Sequence, residues 1–78
     1  MIQAELSWDD EAVEHIWERH HLSIEEVNEG FHGPEALIHT GRGGRQLIYG
    51  QTEGGRYLII VVEFESRRKA WLVTVRGT

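Results

Sequence analysis

Three arginines, Arg45, Arg56 and Arg76, stand at the ends of apolar, β-prone stretches in a chain of 78 residues. A guanidinium presents a planar fork of donors that meets phosphate oxygens two at a time, and it never loses its charge. Side chains able to carry a proton lie elsewhere in the sequence: His20, Tyr49 and Glu63. Such a set can neutralise charge on a phosphorus centre and move protons beside it, provided the fold gathers it on one surface.

Alternation decides which side chains share a face of a strand. Arg45, Leu47, Tyr49 and Gln51 go together, as do Tyr57 and Glu63, and Leu72, Thr74 and Arg76. The opposite set is Gln46, Ile48 and Gly50, with Leu58, Ile60, Val62 and Phe64, and with Trp71, Val73 and Val75. The second set is the more apolar and should be covered by helices. The first then forms a bare face of arginines, tyrosines and one carboxylate. Parity puts Arg56 on the covered side, so it reaches the bare face only if the strand twists or bulges after "EGG".

The elements that must hold these residues follow from periodicity. "IQAELSW" alternates as a short first strand. Asp9 and Asp10 open a helix, where acids suit the positive end. Val13, Ile16, Trp17 and His20 form one stripe at a period of 3.6. "SIEE" is a capping box from Ser23 to Glu26, and Leu22 is placed as its hydrophobic staple. The pair His20–His21 therefore marks a corner between helices, and His20 on the apolar stripe suits a half-buried post there. The second helix is expected from Ile24 to Glu29, ending at Gly30. "ALIHT", "RQLIYGQT", "RYLIIVVEFE" and "AWLVTVR" then read as consecutive strands joined by short turns, an antiparallel meander. The fold class is α+β, with two N-terminal helices on one face of a mostly antiparallel sheet.

Residues 1–78 make one small domain with a thin core. There is no cysteine for a disulfide or thiolate site, and "YLIIVV" is too short to cross a bilayer. A cytoplasmic protein without membrane contact is expected. The net charge of -5 is unevenly placed. Ten acids oppose Arg19 alone in residues 1–39, whereas seven bases oppose three acids in residues 40–78. An acidic layer and a basic layer would result. The histidines lack metal-ligand spacing, since His15 and His20 are five apart and no HExxH is present, so no metal or other cofactor is expected. "TGRGGR" lacks the Gly-Lys-Ser/Thr ending of a phosphate loop and reads as a hairpin turn.

"LSWDDEAVEHIWERHHLSIEEVNEGF", "RQLIYGQTEGGRYLIIVV" and "LVTVRG", in that order, resemble the BrnT-like toxins of type II toxin–antitoxin modules, part of the RelE-like group of small ribonucleases. The resemblance covers nearly the whole chain and implies the RelE-like order β-α-α-β-β-β-β. It also implies metal-independent cleavage of mRNA, with help from the ribosome, and a cognate antitoxin as partner. Carried across, His20 matches the family's helix-end histidine. Arg45 matches the arginine opening the middle strand, Arg56 the one before "YLIIVV", and Arg76 the closing arginine. Arg42, Arg45 and Tyr57 become RNA-binding candidates, and Tyr49 and Glu63 proton carriers. Two features depart from the family: lysine is represented by Lys69 alone, and the family usually continues past the closing arginine into helical residues. The acidic helix layer and the second of these departures favour the alternative of a non-catalytic RelE-like module that pairs with an antitoxin-like protein, whereas the converging Arg/Tyr face favours the ribonuclease. A homo-oligomer is compatible with either reading.

Overall fold

The computed structural model describes residues 1–77. The elements follow the order β1 (Glu5–Ser7), α1 (Asp10–His20), α2 (Ile24–His32), β2 (Leu37–Thr40), β3 (Arg45–Gln51), β4 (Tyr57–Ser66) and β5 (Lys69–Gly77). This is the expected α+β arrangement, β-α-α-β-β-β-β. The five strands form one sheet in the order β1-β5-β4-β3-β2. Neighbouring pairs among β2 to β5 are antiparallel, and β1 joins β5 in parallel. That last pairing sets the first strand beside the start of the last, which local patterning does not reveal.

Both helices are capped by their own sequence. Asp9 accepts from the Ala12 amide at 2.8 Å at the start of α1. Ser23 Oγ accepts from the Glu26 amide at 3.2 Å, and Glu26 Oε1 accepts from the Ser23 amide at 3.2 Å. Such a cap is worth roughly 1 kcal/mol. α1 ends on His21, which adopts a left-handed conformation (φ 52°) so that its amide can donate to the Trp17 carbonyl. The tight corner that follows buries Leu22 completely.

α2 runs past Gly30 to His32, beyond the expected stop at Glu29. The reason is packing. Gly30 is buried against Gly50 of β3, and a β-carbon on Gly50 would overlap the Gly30 carbonyl. Two glycines thus let the helix lie directly on the strand. His32 Nε2 sits 2.8 Å from the Ala4 carbonyl and ties α2 to the segment before β1.

α1 lies against β5, and α2 against β3 and β4, all on one face. The core there holds Ile16, Leu22, Val27, Phe31, Ile48, Leu58, Ile60, Val62, Leu72 and Val75. Burying each large side chain contributes roughly 1.5–3 kcal/mol. Trp17 departs from the expected stripe: it is 55% exposed and its ring meets His21 edge-on. Simple alternation also fails along β5. Val61 pairs with Thr74 and Val62 with Leu72, so Val73 is an extra residue in a bulge. Parity reverses before it: Leu72 is buried, and Trp71 turns to the bare face, 40% exposed. Residues after the bulge keep the expected orientation.

Candidate functional site

The face without helices is a grid set by strand register. One row carries Leu37, Tyr49, Ile59 and Arg76 across β2, β3, β4 and β5. A second carries His39, Leu47, Val61 and Thr74, and a third Arg45, Glu63 and Trp71. Arg45, Tyr49, Tyr57, Glu63 and Arg76 therefore share one face, as alternation requires.

They do not share one spot. Arg45 pairs with Glu63 and Arg76 with Ile59, four residues apart along β4 and two strands apart across it. Their α-carbons are separated by about 16 Å on standard strand spacings. The expected meeting of these two arginines on a single phosphodiester is not found. Face follows from alternation, but position along the strand depends on turn lengths and bulges.

At the Arg45 end, the guanidinium lies 3.4 Å from Glu63 Oε1, with both side chains 52% exposed. Glu63 is therefore the ion partner of Arg45, and lies far along the strand from Arg76. At the other end, Tyr49 lies two strands from Arg76 in the same row, about 10 Å between α-carbons. Tyr57 is the diagonal neighbour of Arg76, about 7–8 Å away. The Tyr49 ring is braced edge-on by His39, their centroids 4.8 Å apart. Glu35, Leu37, Tyr49, Gly50, Gln51, Tyr57 and Leu58 line a shallow cavity of about 240 Å³ beside this row. Arg76, in the same row as Leu37 and Tyr49, is exposed.

Arg56 is on the other side of the sheet, as parity alone indicates, and no bulge follows "EGG" to bring it round. Its Nη2 donates to the His20 carbonyl at 3.1 Å, and its guanidinium lies against the backbone of Gly77. The group caps the C-terminal end of α1, where a cation is favourable, and fastens that end to β5. His20 is half-buried on the same covered side. Neither lies on the face of the Arg76 row: His20 keeps the half-buried post at the helix corner that its apolar stripe suits, and Arg56 joins it there.

Arg42 sits in the β2–β3 hairpin, where Gly43 and Gly44 supply positive φ angles and the Gly41 amide donates to the Arg45 carbonyl at 2.8 Å. It is exposed beside Arg45. Sequence reasoning did not single out Trp71, which the β5 bulge delivers to the bare face next to Glu63. The described residues contain no group of three His, Cys, Asp or Glu side chains placed to hold a metal ion. No described helix is long and apolar enough to cross a membrane.

No protein-family model matches the chain, and no curated protein sequence matches it. Among solved structures it is similar to the 1.1 Å crystal structure of the Brucella abortus ribonuclease toxin BrnT, with a TM-score of 0.79 over 96% of each chain and 14% sequence identity. The two share a fold, the one that the sequence resemblance implies.

Proposed function

We propose that this chain is the toxin of a bacterial toxin–antitoxin module, an endoribonuclease that cuts mRNA without a metal ion in the cytoplasm and is held in check by a cognate antitoxin. The observation that carries the reading is the row of Tyr49, Ile59 and Arg76, with Tyr57 diagonal to it, on the helix-free face of a fold shared with a ribonuclease toxin. Cleavage without a metal requires a base to take the 2′-hydroxyl proton, a cation on the non-bridging oxygens, and an acid for the 5′-oxygen. The 2′-oxygen bonds to phosphorus as the bond to the 5′-oxygen breaks. Products are a cyclic phosphate and a free 5′-hydroxyl.

In this assignment Arg76 takes the phosphate charge, and Tyr49 in its row and Tyr57 diagonal to it are the phenolic hydroxyls of that face that pass a proton. Arg45 and Arg42 bind the strand further along and do not act on the same phosphorus. Arg56 and His20 hold α1 in place.

A second reading, a non-catalytic module that pairs with an antitoxin-like protein, is favoured by one observation. Arg45 is matched by Glu63 and stands about 16 Å from Arg76, so no two-arginine clamp surrounds a single phosphate. Expression of the wild type, Arg76→Ala and Arg45→Ala in bacteria, followed by growth and mRNA integrity, separates the two. The nuclease reading expects arrest and mRNA loss from the wild type. Loss of one well-placed donor commonly lowers the rate 10²–10³-fold, and Arg76→Ala should abolish arrest accordingly. Arg45→Ala should only weaken it. A folded wild type that leaves growth and mRNA intact supports the binding module.

A further inference from the structure

Five of the chain's eight basic residues gather at one end of the sheet. Arg42 occupies the β2–β3 hairpin and Arg45 follows it. Arg67 and Arg68 form the two-residue tip of the β4–β5 hairpin, and Lys69 opens β5. Both hairpins project from the same end, because Arg45 pairs with Glu63 just before β4 turns. Glu5, Glu63 and Glu65 are the carboxylates nearby. Five cations against three anions leave a positive surplus of two on a chain whose net charge is -5. Two of the carboxylates are engaged: Glu63 by Arg45, and Glu65 by Lys69 at 3.9 Å. The side chains of Arg42, Arg67 and Arg68 are exposed and have no ion-pair partner among the described residues.

An aromatic ring stands on β5 at the same end of the sheet, in the row of Arg45 and Glu63. Trp71 Nε1 donates to Glu65 at 3.2 Å, and the Lys69 ammonium lies 4.9 Å from its ring centroid. These contacts fix the indole, yet 40% of the residue remains exposed. Unpaired guanidinium groups around a fixed, open aromatic ring make up the recognition chemistry for a single nucleic-acid strand: cations follow the phosphates while a base stacks on the ring. A duplex keeps its bases stacked and cannot use the indole. An acidic protein segment has no base to offer it.

We infer that the paired hairpins around Trp71 form a docking site for single-stranded RNA, separate from the Arg76 row and about 13 Å or more along the same face. The inference rests on the proposed ribonuclease reading, since it gives the strand that crosses the Arg76 row a second hold. Trp71 is a binding residue here and touches no reacting atom.

The test measures binding of a labelled oligouridylate with 2′-O-methyl sugars, which cannot be cut through its 2′-oxygen, between about 50 and 200 mM salt. The triple variant Arg42→Ala/Arg67→Ala/Arg68→Ala should flatten the plot of log affinity against log salt by about two units, at about 0.7 per phosphate contact on a single strand. Trp71→Ala should weaken binding about tenfold without changing the slope, with Trp71→Phe restoring most of it. Circular dichroism melts check that each variant is folded. Wild-type affinity and slope in both variants overturn the docking site. If Arg76→Ala still abolishes growth arrest in that case, the ribonuclease reading survives alone. A wild type that binds no oligonucleotide and causes no arrest overturns both.

Discussion

Glu63 carries two incompatible readings, and its neighbours discriminate between them. As a proton carrier it would need to stand beside the cation that holds the scissile phosphate. As a sheet carboxylate it would balance an arginine across the strand, which is the arrangement found: Arg45 Nε is 3.4 Å from its Oε1. Both groups are about half in water, where such pairs contribute roughly 0–1 kcal/mol. Glu63→Gln should therefore change stability in urea by less than about 1 kcal/mol and leave growth arrest intact. It should also tighten binding of the uncleavable oligouridylate, since Arg45 is released. Loss of arrest in a stable Glu63→Gln protein would instead put the carboxylate in the chemistry. Alternation in the sequence is enough to place Arg45, Tyr49, Tyr57, Glu63 and Arg76 on one face. It carries no information about offset along the strands, and that offset divides the set into an Arg76 end and an Arg45 end.

At the scale of elements, the parts written in adjacent residues were legible and those made by distant partners were not. Asp9, Ser23 and Glu26 announce both helix starts because caps are local hydrogen bonds. The bulge at Val73 leaves no such mark, since a strand of alternating apolar residues looks the same with one extra residue, and Trp71 and Leu72 exchange faces as a result. Gly30 is a similar case: alone it reads as a helix stop, and only its contact with Gly50 makes it part of the helix. The two glycines are not equivalent. A methyl on Gly50 would meet the backbone carbonyl of Gly30, which cannot move without displacing α2. A methyl on Gly30 would meet Leu58 Cδ1 at 3.2 Å, the end of a side chain able to turn aside, while gaining about 1 kcal/mol of helix propensity. Gly50→Ala should lower the melting temperature by about 10 °C or more, from an overpacking cost of about 3 kcal/mol at about 4–8 °C per kcal/mol for a domain of this size. Gly30→Ala should stay within about 5 °C of wild type. Equal shifts in the two variants would mean that α2 does not rest on β3 through this pair.

For the molecule as a whole, charge is sorted more finely than a division into layers. The helices carry the acids expected of them, but the cations concentrate at the hairpin end rather than across the sheet. The two edges of the sheet are protected unequally as a consequence. β1, at one edge, is only three residues long and begins with Glu5. β2, at the other, has every residue exposed and no Asp, Glu, Lys or Arg between Leu37 and Thr40. Leu37 and Ile38 are 61% and 50% exposed, and they point to opposite faces because consecutive strand residues do. An uncharged apolar edge is a template for pairing with another chain, and a single lysine is the usual way such an edge is blunted. Ile38 is the better position for it. Its neighbour across the strands is the buried Ile48, so the change stays off the face that carries Tyr49 and Arg76. Lysine can also lay its methylenes where the isoleucine lay. Ile38→Lys should thus reduce concentration-dependent light scattering, shift the melting temperature by no more than about 5 °C, and preserve growth arrest. Scattering equal to that of the wild type would show that the β2 edge is not the sticky one, and a lost arrest would show that this edge takes part in the function.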